Sequence, residues 1–177
     1  ATEIFPIIEN EVQRASSESI ACVRNAAGVI RCASLGPAHA FGTEAVPAAQ
    51  FVDMTVGENH VCGITAQNEV LCWGNRKALL FDRPGSNQLQ FRKVAVGNDF
   101  ACGLETTGQL HCWGTANTGR LPNSGGLHAL GYGHSYTDLW ARGTELCARR
   151  LSGSIDCFGE YFQPIQQVEL QPSSNPY

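Results

Sequence analysis

The 177-residue sequence predicts an all-β fold of repeated hairpins, and three observations carry that prediction. Stretches 51–74 and 91–114 match almost position by position at a period of 40. A fixed period of this size marks a propeller, solenoid or array. The eight cysteines form four couples, each ten residues apart: Cys22 and Cys32, Cys62 and Cys72, Cys102 and Cys112, Cys147 and Cys157. No segment keeps a helical period over three turns.

The hairpin can be read residue by residue. If 102–112 folds back as an antiparallel hairpin, Cys102 lies opposite Cys112 and Leu104 opposite Leu110. All four then share a face, because strand side chains alternate. Thr106, Thr107 and Gly108 remain as a three-residue loop, whose last position wants a left-handed residue. Gly28, Asn68, Gly108 and Gly153 hold that place in the four copies, the two residue types that tolerate positive φ most readily. Two residues before each second cysteine stands an apolar residue: Ile30, Val70, Leu110 or Ile155. After it comes Ala33, Trp73, Trp113 or Phe158. Eight cysteines can connect in many ways. The register favours pairing within each hairpin, with pairing between neighbouring repeats as its rival.

Taken in order, residues 1–13 hold Ile4, Phe5, Pro6, Ile7 and Ile8, which predicts an edge strand bearing a proline. One domain spans 1–177, with repeats at about 14–50, 51–90, 91–135 and 136–170 and a tail at 171–177. Connections 75–90 and 115–135 do not recur between repeats, and 167–170 is read as a last strand. Two residues after the first cysteine, the inner repeats carry Ile64 and Leu104 but the outer ones Arg24 and Arg149. Arginine there predicts a missing neighbour or a polar surface, as at the ends of linear arrays; the plainer alternative is a partly buried arginine stacked on an aromatic ring.

The motif Val94-Ala-Val-Gly-Asn-Asp-Phe-Ala-Cys-Gly-Leu104, then Gly108-Gln-Leu-His-Cys-Trp-Gly114, then Gly119-Arg120-Leu121, resembles a repeat of the regulator of chromosome condensation. Beta-lactamase inhibitory protein II of bacteria shares that superfamily. The cysteine-bearing form is most similar to secreted bacterial members and to the ectodomains of plant crinkly-type receptor kinases. The resemblance implies β-propeller blades. Members typically form seven-bladed rings, so four repeats imply an incomplete ring or one completed by oligomerisation.

Composition narrows the function. A hydrophobic content of 43% is too high for disorder. No apolar run approaches the length of a membrane span. The chain opens on Ala1 rather than Met, which fits a leader already removed or a shortened start. The net charge of −4 gives no basic footprint, so no nucleic-acid partner is expected. Paired cysteines point to an oxidising compartment, hence a secreted, extracellular or periplasmic protein. No Asn-x-Ser/Thr acceptor is present. Closely spaced cysteine ligands for zinc are missing, and His128 and His134 have no carboxylate or cysteine at useful spacing, so neither metal nor cofactor is expected. His60 and His111 fall in the repeat framework, and Asp53 and Glu58 align with Lys93 and Asn98, which weakens any paired-carboxylate role. Ser152-Gly153-Ser154 reads as turn chemistry, and Trp73 and Trp113 as core rather than sugar platforms.

The chain is therefore expected to be a non-catalytic binding module for an extracellular protein or glycan. Its candidate binding residues are Arg76, Lys77, Arg83, Arg120, His128 and His134, a local excess of positive charge that favours acidic groups on the partner. The alternative is a structural subunit that self-associates through open repeat edges. A hydrolase or lyase ranks last.

Overall fold

The structure is a computed structural model that describes residues 6–35, 46–74, 89–98, 100–114 and 133–158 in full, and the backbone of 128–130 and 164–168. Four antiparallel sheets succeed one another along the chain. Blade 1 is β1 (Glu11–Ser16), β2 (Ile20–Asn25) and β3 (Ile30–Ser34). Blade 2 is β4 (Phe51–Val56), β5 (His60–Thr65) and β6 (Val70–Gly74). Blade 3 is β7 (Phe91–Val96), β8 (Phe100–Glu105), β9 (Leu110–Gly114) and a short β10 (His128–Leu130). Blade 4 is β11 (Tyr136–Arg142), β12 (Glu145–Arg150), β13 (Ile155–Phe158) and β14 (Pro164–Val168). These are β-propeller blades in an open ring, with no helix among the described residues.

Each blade hairpin keeps the predicted register. Cys102 faces Cys112 and Leu104 faces Leu110, and the other three blades repeat the arrangement. Disulfides join Cys22 to Cys32, Cys62 to Cys72, Cys102 to Cys112 and Cys147 to Cys157. The paired Cα atoms stand 4.0–4.1 Å apart, the close approach of directly opposed strand residues. The loop residues take positive φ: +80° at Gly28, +62° at Asn68, +92° at Gly108 and +95° at Gly153.

That backbone twist joins the blades. It turns the loop carbonyl toward the following blade, whose first strand residue donates to it. Phe51 N donates to Gly28 O at 2.9 Å, Phe91 N to Asn68 O at 2.8 Å and Tyr136 N to Gly108 O at 2.8 Å. One residue later, each first strand carries a bulge, between Glu11 and Gln13, Phe51 and Asp53, Phe91 and Lys93, and Tyr136 and Asp138. A bulge adds a residue to one strand and re-aims those beyond it. Here it points Val52 to solvent and keeps both Phe51 and Met54 buried.

Packing has a direction. The disulfide face of each blade lies on the opposite face of the next. Ile20, Cys22 and Ile30 pack on Phe51, Met54, Val61 and Trp73. Cys62, Ile64, Val70 and Cys72 pack on Phe91, Val94 and Trp113. Cys102, Leu104, Leu110 and Cys112 pack on Tyr136, Leu139, Leu146 and Phe158. A large side chain buried this way contributes roughly 1.5–3 kcal/mol over an exposed one.

Three sequence expectations change. The first described strand is Glu11–Ser16; of the Ile-rich stretch expected as a strand, residues 1–5 lie outside the described residues, while residues 6–8 are outside any strand and Ile7 is 88% exposed. The last strand opens at Pro164 and ends at Val168, earlier than the 167–170 expected, and β10 arises inside what read as a connection. Arg24 does not mark an end. It lies on the face that meets blade 2, where Nη1 donates to Phe51 O at 3.3 Å and Nε to Gln13 Oε1 at 2.9 Å. The missing-neighbour reading fits Arg149 alone, which stands exposed on the open face of blade 4.

Candidate functional site

The first strands β1, β4, β7 and β11 lie innermost and touch one another from blade to blade. The turns after them converge on the axis. Around a concavity of about 470 Å³ stand Ser17 and Glu18 of blade 1, Glu58 of blade 2, Asn98 of blade 3 and Arg142 of blade 4. Backbones meet there directly: Asn98 N donates to Gly143 O at 2.8 Å. A side chain on Gly97 would begin 2.7 Å from Gly143 O and 2.2 Å from the Phe100 ring, so only glycine fits. The mouth is thus polar, with two carboxylates on one side and a guanidinium on the other.

The same rim carries the starts of the variable connections. β6 ends there at Gly74, opposite His60, and β9 ends at Gly114, opposite Phe100. β10 starts on that rim, with His128 opposite Cys112. Of the expected binding residues, Arg76, Lys77, Arg83 and Arg120 lie outside the described residues, as does the side chain of His128. His134 is exposed and precedes β11 on the opposite, hairpin rim, so the structure does not group it with His128.

Other expectations resolve into packing. Trp73 and Trp113 are 1% and 0% exposed and tilt against Phe51 and Phe91 at ring separations of 5.5 and 5.9 Å, so no sugar can reach them. Asp53 accepts from Gln13 Nε2 at 2.7 Å, a bond between blades, while Glu58 sits at the mouth; they do not act as a pair. Ser152 and Ser154 share a hydrogen bond of 2.9 Å in an exposed turn. Among the described residues no three His, Cys, Asp or Glu side chains group to hold a metal ion.

Two ionic features escaped the sequence reading. Lys93 of blade 3 bonds Asp138 of blade 4, continuing the position at which Gln13 meets Asp53. Within blade 3, His111 Nε2 sits 3.1 Å from Glu105; 45 residues later Arg150 Nε donates to Asp156 at 2.6 Å, the same pair of positions with the acidic residue and its partner exchanged. The signal was available by reading the repeat two positions at a time. Asp156 is 6% exposed and also accepts from the Tyr136 hydroxyl at 2.8 Å. Burial alone would raise its carboxyl pKa, but the bonds from Arg150 and Tyr136 outweigh it and hold Asp156 below the usual carboxylate value. Burial first, then Asp156, push the Tyr136 hydroxyl up. Asp138 is likewise depressed, the bond from Lys93 overcoming its desolvation.

Together these features define a β-propeller repeat fold. Residues 51–75 and 91–119 match the model of the regulator of chromosome condensation (RCC1) repeat. Among solved structures, the chain is similar to the CRINKLY WD40 ectodomain of the Arabidopsis thaliana receptor kinase ACR4, at 23% identity and TM-score 0.66 over 91% of this chain and 53% of that one. It is similar to the ectodomain of the Physcomitrella patens receptor kinase CR4, at 24% identity and TM-score 0.68 over 85% and 39%. It is also similar to yeast RCC1 (Prp20) in its structure with Kap60, at 15% identity and TM-score 0.68 over 89% and 46%. The chain thus spans about half the length of these propellers or less. No curated protein matches it.

Proposed function

We propose that the chain is a secreted, non-catalytic binding module that recognises an extracellular protein or glycan bearing acidic groups. The observation that carries this reading is the rim on which the axial mouth and the starts of connections 75–90 and 115–135 occur together. Recurring framework residues are explained by packing between blades; the connections do not recur, and loops on a rigid sheet scaffold commonly bear recognition residues. Arg76, Lys77, Arg83 and Arg120 give them positive charge in an acidic chain. Four disulfides support an extracellular setting, as do two similar structures that are receptor ectodomains. Yeast RCC1 (Prp20), which shares the fold, is a protein bound by Kap60, and this favours a protein partner.

The test is charge reversal at Arg76, Arg83 and Arg120 together, with binding followed on immobilised polygalacturonate and on extracellular matrix proteins over a salt series. The parent should bind more weakly as salt rises, and the triple variant should lose most binding while keeping its fold. A triple variant that binds like the parent removes these connections from the recognition surface.

A further inference from the structure

We propose that two copies of this chain close into one ring, blade 4 of each docking on blade 1 of the other, with Arg149 facing Glu11 of the partner subunit. Because each disulfide face packs on the next blade, the four described blades leave two faces with no described blade against them: the disulfide face of blade 4 and the opposite face of blade 1. The first carries Arg149 and two apolar elements: Trp140 at 40% exposure and the half-buried Cys147–Cys157 bridge. The second carries Glu11 and Arg14, paired at 2.9 Å, where the inner blades bury Phe51 and Met54 or Phe91 and Val94.

The internal joints show what these faces would do. The residue two after the first cysteine belongs beside the first strand residue of the following blade. Leu104 is buried with Tyr136 and Ile64 with Phe91, each of the four at most 1% exposed. Arg24 reaches Phe51 O. The corresponding pair across the open ends is Arg149 and Glu11, and the apolar residue is lost on both sides at once. Gln13 steadies Arg24 in blade 1, and Asp138 stands opposite Arg149 in the same register. The backbone joint is ready too. Gly153 holds the loop position whose carbonyl accepts from the next blade, yet no described residue lies within 4 Å of its side-chain direction, whereas Phe51 N and O stand 2.8 Å from that of Gly28. Its donor would be Glu11 N, the equivalent of Phe51 N, Phe91 N and Tyr136 N.

Light scattering and sedimentation of the disulfide-intact chain test this across a wide concentration range. The parent should be a dimer. Arg149→Glu and Glu11→Arg should each weaken dimerisation by at least about tenfold, since like charges then meet at both joints. The double variant should dimerise again, as a double-mutant cycle requires of a direct pair. An equimolar mixture of the two single variants should also dimerise, because one joint regains its ion pair and the other keeps the parental one. That mixture separates a lost contact from a lost fold. A parent that stays monomeric, single variants that dimerise like the parent, or a mass that grows without limit with concentration would each overturn the closed pair.

Discussion

Gly28 and Gly153 hold the same loop position and differ in whether another blade packs beyond them. Both have φ near +90°, a conformation that costs an L-residue about 1–2 kcal/mol. At Gly28 a side chain would also strike Phe51 N and O at 2.8 Å, whereas at Gly153 it meets no described residue. Gly153→Ala should therefore cost about 1 kcal/mol and Gly28→Ala at least about 2 kcal/mol in urea unfolding. Equal costs would mean that the joint between blades contributes nothing. Asn68→Gly should be close to neutral, since Asn68 already holds φ at +62°. Charge gives a second prediction. Asp138 and Asp156 titrate below their unfolded value near 3.9. A depressed carboxyl stabilises the fold above that value, and the stabilisation is lost as pH falls through the folded pKa. Melting temperature should drop steeply below about pH 4, and Asp156→Asn should flatten that slope while costing about 1–3 kcal/mol at neutral pH.

The four hairpins share one design but not one environment. Each disulfide closes a loop of about 11 residues, worth roughly 2–3 kcal/mol by chain entropy. Cys102 and Cys112 are fully buried between blades, while the Cys147–Cys157 bridge lies on an open face. Replacing both cysteines by alanine should thus cost more in blade 3 than in blade 4, because a cavity adds to the entropy term. Chemical denaturation of the two double variants measures the difference. The hairpins were readable in the sequence because cysteine spacing, loop glycine and alternation all repeat. The interface role of Arg24 was not, since position within a blade does not say which face meets a neighbour. That requires knowing the direction in which blades stack, a property of the ring rather than of the repeat. The axial mouth was hidden for the same reason: Glu18, Glu58 and Arg142 are far apart in sequence and converge only because the inner strands do.

Across the array, protection from solvent peaks in the middle. All six positions of β5 are buried and five of six in β8, while β1 has none. Amide hydrogen exchange should be slowest in β5 and β8 and fastest in β1, whose positions are all exposed or half-buried. If two copies close into a ring, raising the protein concentration should slow exchange in β1 and β12 with little effect on β5. Uniform exchange across all strands would mean that the four blades open as one unit.

The joint between a left-handed loop carbonyl and the next strand's first amide involves only main-chain atoms. Side chains can drift without breaking it, and any unit ending in such a loop can be joined to any unit beginning with such a strand. Excising 51–90 would place Phe91 after the stretch that now precedes Phe51, restoring the link to Gly28 with one unit fewer. Inserting a further copy would lengthen the series by the same rule. Genes for such chains can gain or lose a whole module in one event and still encode something that folds, so blade number can change faster than blade structure.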